Sequence, residues 1–301
     1  MSFLDDLKAQ FDRPNNALNQ LIVINVVIYV VLVLLYLIAT ITGVEPIFAL
    51  VYRQFSIPPV FGDFIYRPWT IISYAFAHSI TDFFHILFNM LALYWFGRII
   101  QDFLGSPKVI NLYVLGALSG AVVYLLAFNT IPYYQERIGF PGMVGASGAV
   151  YAIAMAAATL APNYQFNLLF FGPVRIKYIV GVYILISLVG STGGNAGGNI
   201  AHLGGVLMGY VYIKQLQQGS DWGIWITSFI DWVKGLFQPS ARIKVTHRKS
   251  TTSGTRTSSS APKASSSDQA EIDRILDKIS ERGYEALSKE EKEKLFNASK
   301  R

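Results

Sequence analysis

The sequence predicts an all-α polytopic membrane protein with six transmembrane helices and a small soluble C-terminal helical hairpin. Three observations carry the prediction. Of 301 residues, 52% are hydrophobic and only 15% charged, against about 25% charged in an ordinary soluble domain, and the mean hydropathy is +0.38. The apolar residues are gathered into runs that approach the roughly 20 a bilayer-spanning helix needs. Beyond residue 238 the chain turns polar, first Ser, Thr, Lys and Arg, then an acidic and basic helical pattern.

Leu18 to Ile41 is the first and longest apolar run. Being long enough to span, it reads as a retained helix rather than a cleaved signal. Thr42 to Ile80 is broken by Pro46, Pro58, Pro59 and Pro68 and is dense in aromatics, which suit a membrane interface. It is expected to form a structured, partly immersed loop. Further helices are expected over Asp82–Phe103, Pro107–Phe128, Val144–Ala161, Val174–Gly190 and Ile200–Gln217. Between them lie a polar loop (Asn129–Met143), a short return (Asn163–Gly172) and a Gly-rich loop (Ser191–Asn199).

Asp221 to Phe237 carries Trp222, Trp225, Phe229, Trp232 and Phe237. It is too short and polar to span and reads as an interfacial amphipathic helix. Asp268 with Glu271 marks a helix start and Gly283 a stop. Ser288 with Glu291 is a capping box. Ile272, Ile275, Leu276 and Ile279 form a stripe on which Leu287, Leu295 and Phe296 can pack.

The expected plan is therefore a cytoplasmic N-terminal segment (1–17), a six-helix membrane domain (18–217), the interfacial helix (218–238), a disordered linker (239–267) and the hairpin (268–301). Lys and Arg set the orientation. Lys8, Arg13, Arg98, Lys108, Arg175, Lys177 and Lys214 fall on one side, and Arg53, Arg67 and Arg137 on the other. The first side is then cytoplasmic, with both termini. The net charge of +6 follows from a basic cytoplasmic face and points to no nucleic-acid partner. With no cysteine there is neither a disulfide framework nor thiol chemistry. No cofactor and no metal are expected.

The chemistry centres on Gly145-Ala146-Ser147-Gly148. A serine hydroxyl is a weak nucleophile and needs a base within hydrogen-bond reach. His202, in Ala201-His202-Leu203-Gly204-Gly205, is an ionisable residue inside an apolar helix at a depth the charge count makes similar. Gly198, Gly205 and Gly209 give its helix a small face that permits close approach. Ordinary small-residue packing and a nucleophile–base pair both fit these two helices. His85 and Asn89 are four apart on one helix face, and both can donate hydrogen bonds to a developing oxyanion.

The combination H-x-x-x-N, G-x-S-G and A-H-x-x-G, in that order on separate helices, resembles the rhomboid intramembrane serine proteases over residues 15–217. The resemblance implies Ser147 as nucleophile and His202 as general base. It implies an oxyanion site from His85, Asn89 and the Ser147 amide, with Gly145 keeping the backbone open beside it. It also implies that Tyr151 packs on the histidine ring. The substrates implied are transmembrane helices of single-pass or polytopic proteins, cut near the outer face of the bilayer. Arg67-Pro68-Trp69 departs from the adjacent Trp-Arg usual in that family, and Gln101 stands where many members have glutamate.

A rhomboid-like pseudoprotease that only binds membrane helices is the first alternative. A transporter is the second; it would want an internal repeat and charged residues at the midplane, and neither is evident. The hairpin is either a site for a cytoplasmic partner or a solubilising tail. The compact six-helix form points to a bacterial inner membrane.

Overall fold

A computed structural model describes residues 15–136, 138, 142–168, 170–237, 266–282 and 284–299. Most of the expected N-terminal segment and linker, and the stop at Gly283, lie outside these residues. The chain divides into two units, Met1–Ser240 and Ala241–Arg301.

The first unit contains α1 (Ala17–Thr42), α2 (Phe83–Leu104), α3 (Ser106–Thr130), α4 (Ser147–Leu160), α5 (Ile176–Gly190), α6 (Ala196–Gln217) and α7 (Ile224–Phe237). Three of them, α1, α2 and α3, are long and apolar enough to cross a membrane by length and composition. The shorter α4 and α5 are also apolar, and α6, at 22 residues, is diluted by glycine and polar side chains. The all-α expectation needs one correction. Gln165–Leu168 and Gly172–Arg175 pair as an antiparallel two-stranded sheet where only a return was expected. Its strands are four residues long with mostly exposed side chains, so no alternating apolar face marks them.

Glycine sets the core's geometry. A Cβ on Gly205 would lie 2.0 Å from the Gly148 carbonyl oxygen, and one on Gly209 would lie 2.1 Å from that of Ala152. Helices α4 and α6 thus meet backbone to backbone. Gly116 on α3 packs against Ala152 in the same way, where a Cβ would come within 2.4 Å of the alanine's. Gly198, expected on this face, instead faces the side chain of Asn195. Where water is absent, such contact supplies dispersion and close backbone approach in place of a hydrophobic driving force.

The loop between α1 and α2 is ordered by polar anchors. Short helices occupy Glu45–Tyr52, Phe61–Ile65 and Thr70–Ser73, followed by a 3₁₀ turn at Tyr74–Phe76. The Tyr74 hydroxyl donates to the Ala117 carbonyl at 2.8 Å, and that of Tyr113 donates to Ala75 O at 2.7 Å. Asn129 at the end of α3 donates to Pro59 O and accepts from the Phe61 amide. Arg67 donates to the Arg53 carbonyl at 3.0 Å, so it braces the loop despite its altered motif. Gln101 accepts from the Ser106 hydroxyl and the Leu18 amide, tying the α2–α3 turn to the start of α1.

At the C-terminal end of α6, Asp221 pairs with Lys108 and accepts hydrogen bonds from the Tyr212 hydroxyl and the Gly223 amide. Burial would raise its pKa, but those donors outweigh it and hold the carboxyl below the usual range. This latch seats the start of α7. Beyond it, Trp225, Phe229 and Trp232 are exposed, the pattern of an amphipathic interfacial helix.

The second unit pairs α8 (Ser266–Arg282) with α9 (Lys289–Ser299). Its capping box is reciprocal: the Glu291 amide donates to Ser288 Oγ and the Ser288 amide donates to the Glu291 carboxylate. Ile275 and Leu287 are buried, whereas Leu276, expected in the same stripe, is 49% exposed. Ile275 sits at the centre of the face turned to α9, and Leu276, one step (100°) round, falls off it.

Two outcomes are expected. Gly205→Ala inserts a methyl group against the α4 backbone and should lower thermal stability by about 1–3 kcal/mol or more. Gly181→Ala, with open space around it, should leave stability unchanged or slightly raised; equal melting temperatures for the two variants would refute this packing. Separately, the Ser288 amide first, then Lys278, hold the Glu291 carboxyl below its ordinary value. A depressed carboxylate stabilises above its unfolded pKa of about 4.3 and stops doing so as pH falls through the folded value. The α9 backbone NMR shifts should therefore stay helical above that range and lose helicity on further acidification, and Glu291→Gln should flatten the profile.

Candidate active site

The helix contact through Gly148 and Gly205 brings two polar residues together. Ser147 is the first residue of α4 and His202 lies in the second turn of α6. His202 Nε2 and Ser147 Oγ are 2.7 Å apart. The Tyr151 ring, one turn after Ser147, stacks on the His202 imidazole with centroids 4.1 Å apart and planes 10° apart. Two of the imidazole's degrees of freedom, tilt and lateral shift, are thereby restricted.

The segment entering α4 is held from the other side. Ile57 and Met143 exchange two backbone hydrogen bonds of 3.0 Å, and the Gly145 amide donates to Tyr74 O at 2.9 Å. Gly145 has φ +139°, a conformation open to glycine and rarely to other residues. A Cβ there would also sit 2.9 Å from His85 Nε2 and 3.5 Å from Ser147 Oγ. The absent side chain is the space into which both groups face.

His85 is oriented by its other nitrogen. The Ser79 amide donates to His85 Nδ1 at 3.2 Å. In a neutral imidazole that assigns the proton to Nε2, which makes Nε2 a donor toward the space beside Ser147. Asn89, four residues on, donates one amide hydrogen to the His85 carbonyl at 2.7 Å. That leaves a second amide hydrogen on a side chain that lines the cavity. The Ser147 amide lies in the first turn of α4, where N–H groups have no intrahelical acceptor and the helix dipole is positive.

The cavity has a volume of about 1270 Å³ and takes in Ser147, His202, His85, Asn89 and Tyr151, with Thr192 to Gly198 along one wall. At the start of that Gly-rich segment the Tyr133 hydroxyl donates to Thr192 O at 2.8 Å. His78 packs edge-on to His85 at 5.2 Å. Burial, with His85 beside it, pushes its pKa down to about 3, so it stays neutral. Its carbonyl accepts from the Tyr52 hydroxyl. Among the described residues no group of three His, Cys, Asp or Glu side chains would hold a metal ion.

One contact was not legible in the sequence. Ser187 of α5 is fully buried and lies 3.0 Å from His202 Nδ1. A lone serine in an apolar helix carries no motif, and only the packing of α5 on α6 brings it to the imidazole.

A family model described as the Rhomboid domain matches residues 66–218. The chain belongs to the rhomboid family. A second model, a family of unknown function (DUF6576), matches residues 263–301. The chain is 34% identical over 164 residues to RHOMBOID-like protein 12, mitochondrial, of Arabidopsis thaliana, covering 51% of this chain and 48% of that one. It is 31% identical over 162 residues to Rhomboid protein 1, mitochondrial, of Saccharomyces cerevisiae, covering 50% and 42%. It is 28% identical over 147 residues to Rhomboid protease GlpG of Haemophilus influenzae, covering 48% and 67%. The chain spans about half the length of the curated relatives it matches first. All six positions that the family resemblance singled out fall within the matched Rhomboid segment, which makes this rhomboid chain membrane-embedded by family as well as by composition.

The packing at Gly145 is directly testable. Gly145→Ala should displace His85, at a strain cost of about 1–3 kcal/mol. The histidine side-chain NMR signals of His85 should move while those of His202 persist; unchanged His85 signals would refute the contact.

Proposed function

We propose that this rhomboid protein is an intramembrane serine endopeptidase that cuts transmembrane helices of membrane-protein substrates near the outer face of the bilayer. The observation that carries the reading is the 2.7 Å hydrogen bond between Ser147 Oγ and His202 Nε2, made inside a cavity with an oriented donor set opposite. In this mechanism His202 Nε2 takes the Ser147 proton as Oγ attacks the scissile carbonyl carbon. The tetrahedral oxyanion is received by His85 Nε2–H, the free Asn89 N–H and the Ser147 amide. Donors of this kind are each worth about 100- to 1000-fold in rate. His202 then protonates the leaving amine, and water repeats the sequence on the acyl-enzyme.

The proposed architecture has six spans, α1 to α6, with the N-terminal ends of α4 and α6 lining a water-accessible cavity. The basic ends of the helices face the cytoplasm, which places both termini inside and Ser147 toward the outer face. The domain plan remains a membrane domain over 18–217, the interfacial helix, a linker, and the hairpin as a site for a cytoplasmic partner. A bacterial inner membrane is the proposed location, supported by the GlpG relatives; relatives named mitochondrial and chloroplastic make organelle membranes the competing placement.

The test uses purified protein in detergent and a single-pass membrane substrate. The native chain should cleave it, and Ser147→Ala and His202→Ala should each lower the rate by about 10⁴-fold or more at unchanged melting temperature. A fluorophosphonate probe should label native protein at Ser147. Neither cleavage nor labelling by folded native protein would sink the reading in favour of a helix-binding pseudoprotease.

A further inference from the structure

Resting on the proposed roles of Ser147 and His202, we infer that Ser187 is a positioning residue that holds His202 in the tautomer able to act as a base. The need is simple. For Nε2 to accept the Ser147 proton it must be bare, so the imidazole proton must sit on Nδ1. A proton on Nδ1 inside an apolar helix bundle needs an acceptor. Catalytic triads draw on a carboxylate for this; here, among the described residues, Ser187 Oγ is the group hydrogen-bonded to Nδ1, at 3.0 Å.

The geometry at the Nδ1 edge fits this need. His202 Nδ1–H donates to Ser187 Oγ. Beside it, the Tyr151 hydroxyl donates to the Tyr183 carbonyl at 3.5 Å. A serine in an apolar helix ordinarily returns its hydroxyl to the carbonyl four residues back. For Ser187 that carbonyl belongs to Tyr183, and it is the one Tyr151 approaches. The Ser187 hydroxyl is found at the imidazole instead.

Placement supports a specific role. On α5 the buried residues are Ile176, Val180 and Ser187; the rest of the helix is largely turned outward. Ser187 is its single polar buried group, and it meets the imidazole edge opposite Ser147. Tyr151 contributes from another side, through the ring stacked on His202. A neutral hydroxyl fixes the tautomer and ring angle but brings no negative charge to the imidazolium. Its loss should therefore cost far less than the 10⁴-fold seen when a triad carboxylate is neutralised. A net hydrogen bond of ordinary strength corresponds to about tenfold.

The experiment combines kinetics on the single-pass substrate with ¹⁵N-histidine NMR of the full chain, the His202 signals being assigned with His202→Asn. Native protein should give a single His202 tautomer, protonated at Nδ1. Ser187→Ala should mix the tautomers and lower kcat about tenfold with KM within twofold, while probe labelling of Ser147 slows in parallel. Ser187→Thr, which keeps the hydroxyl, should restore both the tautomer and kcat at a native-like melting temperature. Unchanged tautomer and kcat in Ser187→Ala would overturn the inference, as would a stably folded Ser187→Thr with the mixed tautomers of the alanine variant. If native protein cleaves nothing yet its His202 tautomer depends on Ser187, the protease reading falls and the positioning role stands.

Discussion

The contact between Gly205 and the Gly148 carbonyl is the constraint on which the rest of the membrane unit depends. It fixes α4 and α6 at a separation that no larger residue permits. At that separation Ser147 and His202 come within hydrogen-bond distance, and Tyr151 lies flat on the imidazole. Moving either helix outward by the width of a methyl group breaks all three relations together. The same small-residue logic joins α3 through Gly116 and Gly120. The three helices therefore form a scaffold whose precision comes from backbone contact rather than side-chain fit, since backbone has few rotamers to relax into.

Around this scaffold the polar groups are arranged so that each has one job. The loop between α1 and α2 is pulled onto α3 by tyrosine hydroxyls, then hands its order to the entry of α4 through Tyr74 and Gly145. His85 is turned by a backbone amide, Asn89 by a backbone carbonyl. These bonds cost little in sequence, yet in a low-dielectric setting an unpaired group is expensive and a paired one is held firmly. Orientation of His85 and Asn89 is thus supplied by main-chain donors and acceptors, which substitution elsewhere in the chain does not easily remove.

Much of this was legible in the sequence, and the boundary of legibility is physical. The expected helix Leu18–Ile41 lies within a residue at each end of Ala17–Thr42, because a long apolar run has one reading in a bilayer. His85 and Asn89 share a face because spacing on one helix is local information. The hairpin Gln165–Arg175 escaped because four-residue strands with exposed side chains carry no alternation. Gly198 was placed on the α4 face with Gly205 and Gly209, yet it meets Asn195, since spacing along α6 does not say where the neighbouring helix begins. Ser187 was invisible for the same reason: its meaning lies wholly in a pairing between helices.

The proposed chemistry also accounts for why α4 begins at the site and the glycine-rich start of α6 lines it. An oxyanion is favoured at a helix N-terminus, where free amides and the dipole converge, and Ser147 opens α4. Hydrolysis of an acyl-enzyme requires water, which the bilayer core excludes. Starting α4 late and α6 among glycines leaves room above Ser147 for a cavity that both conditions require. An α4 extended on the N-terminal side of Ser147 would satisfy its own backbone and bury the nucleophile in hydrocarbon. The glycines that bring α4 and α6 together, and the loop of glycines before α6, are therefore two parts of one solution: close approach below the site and open space above it.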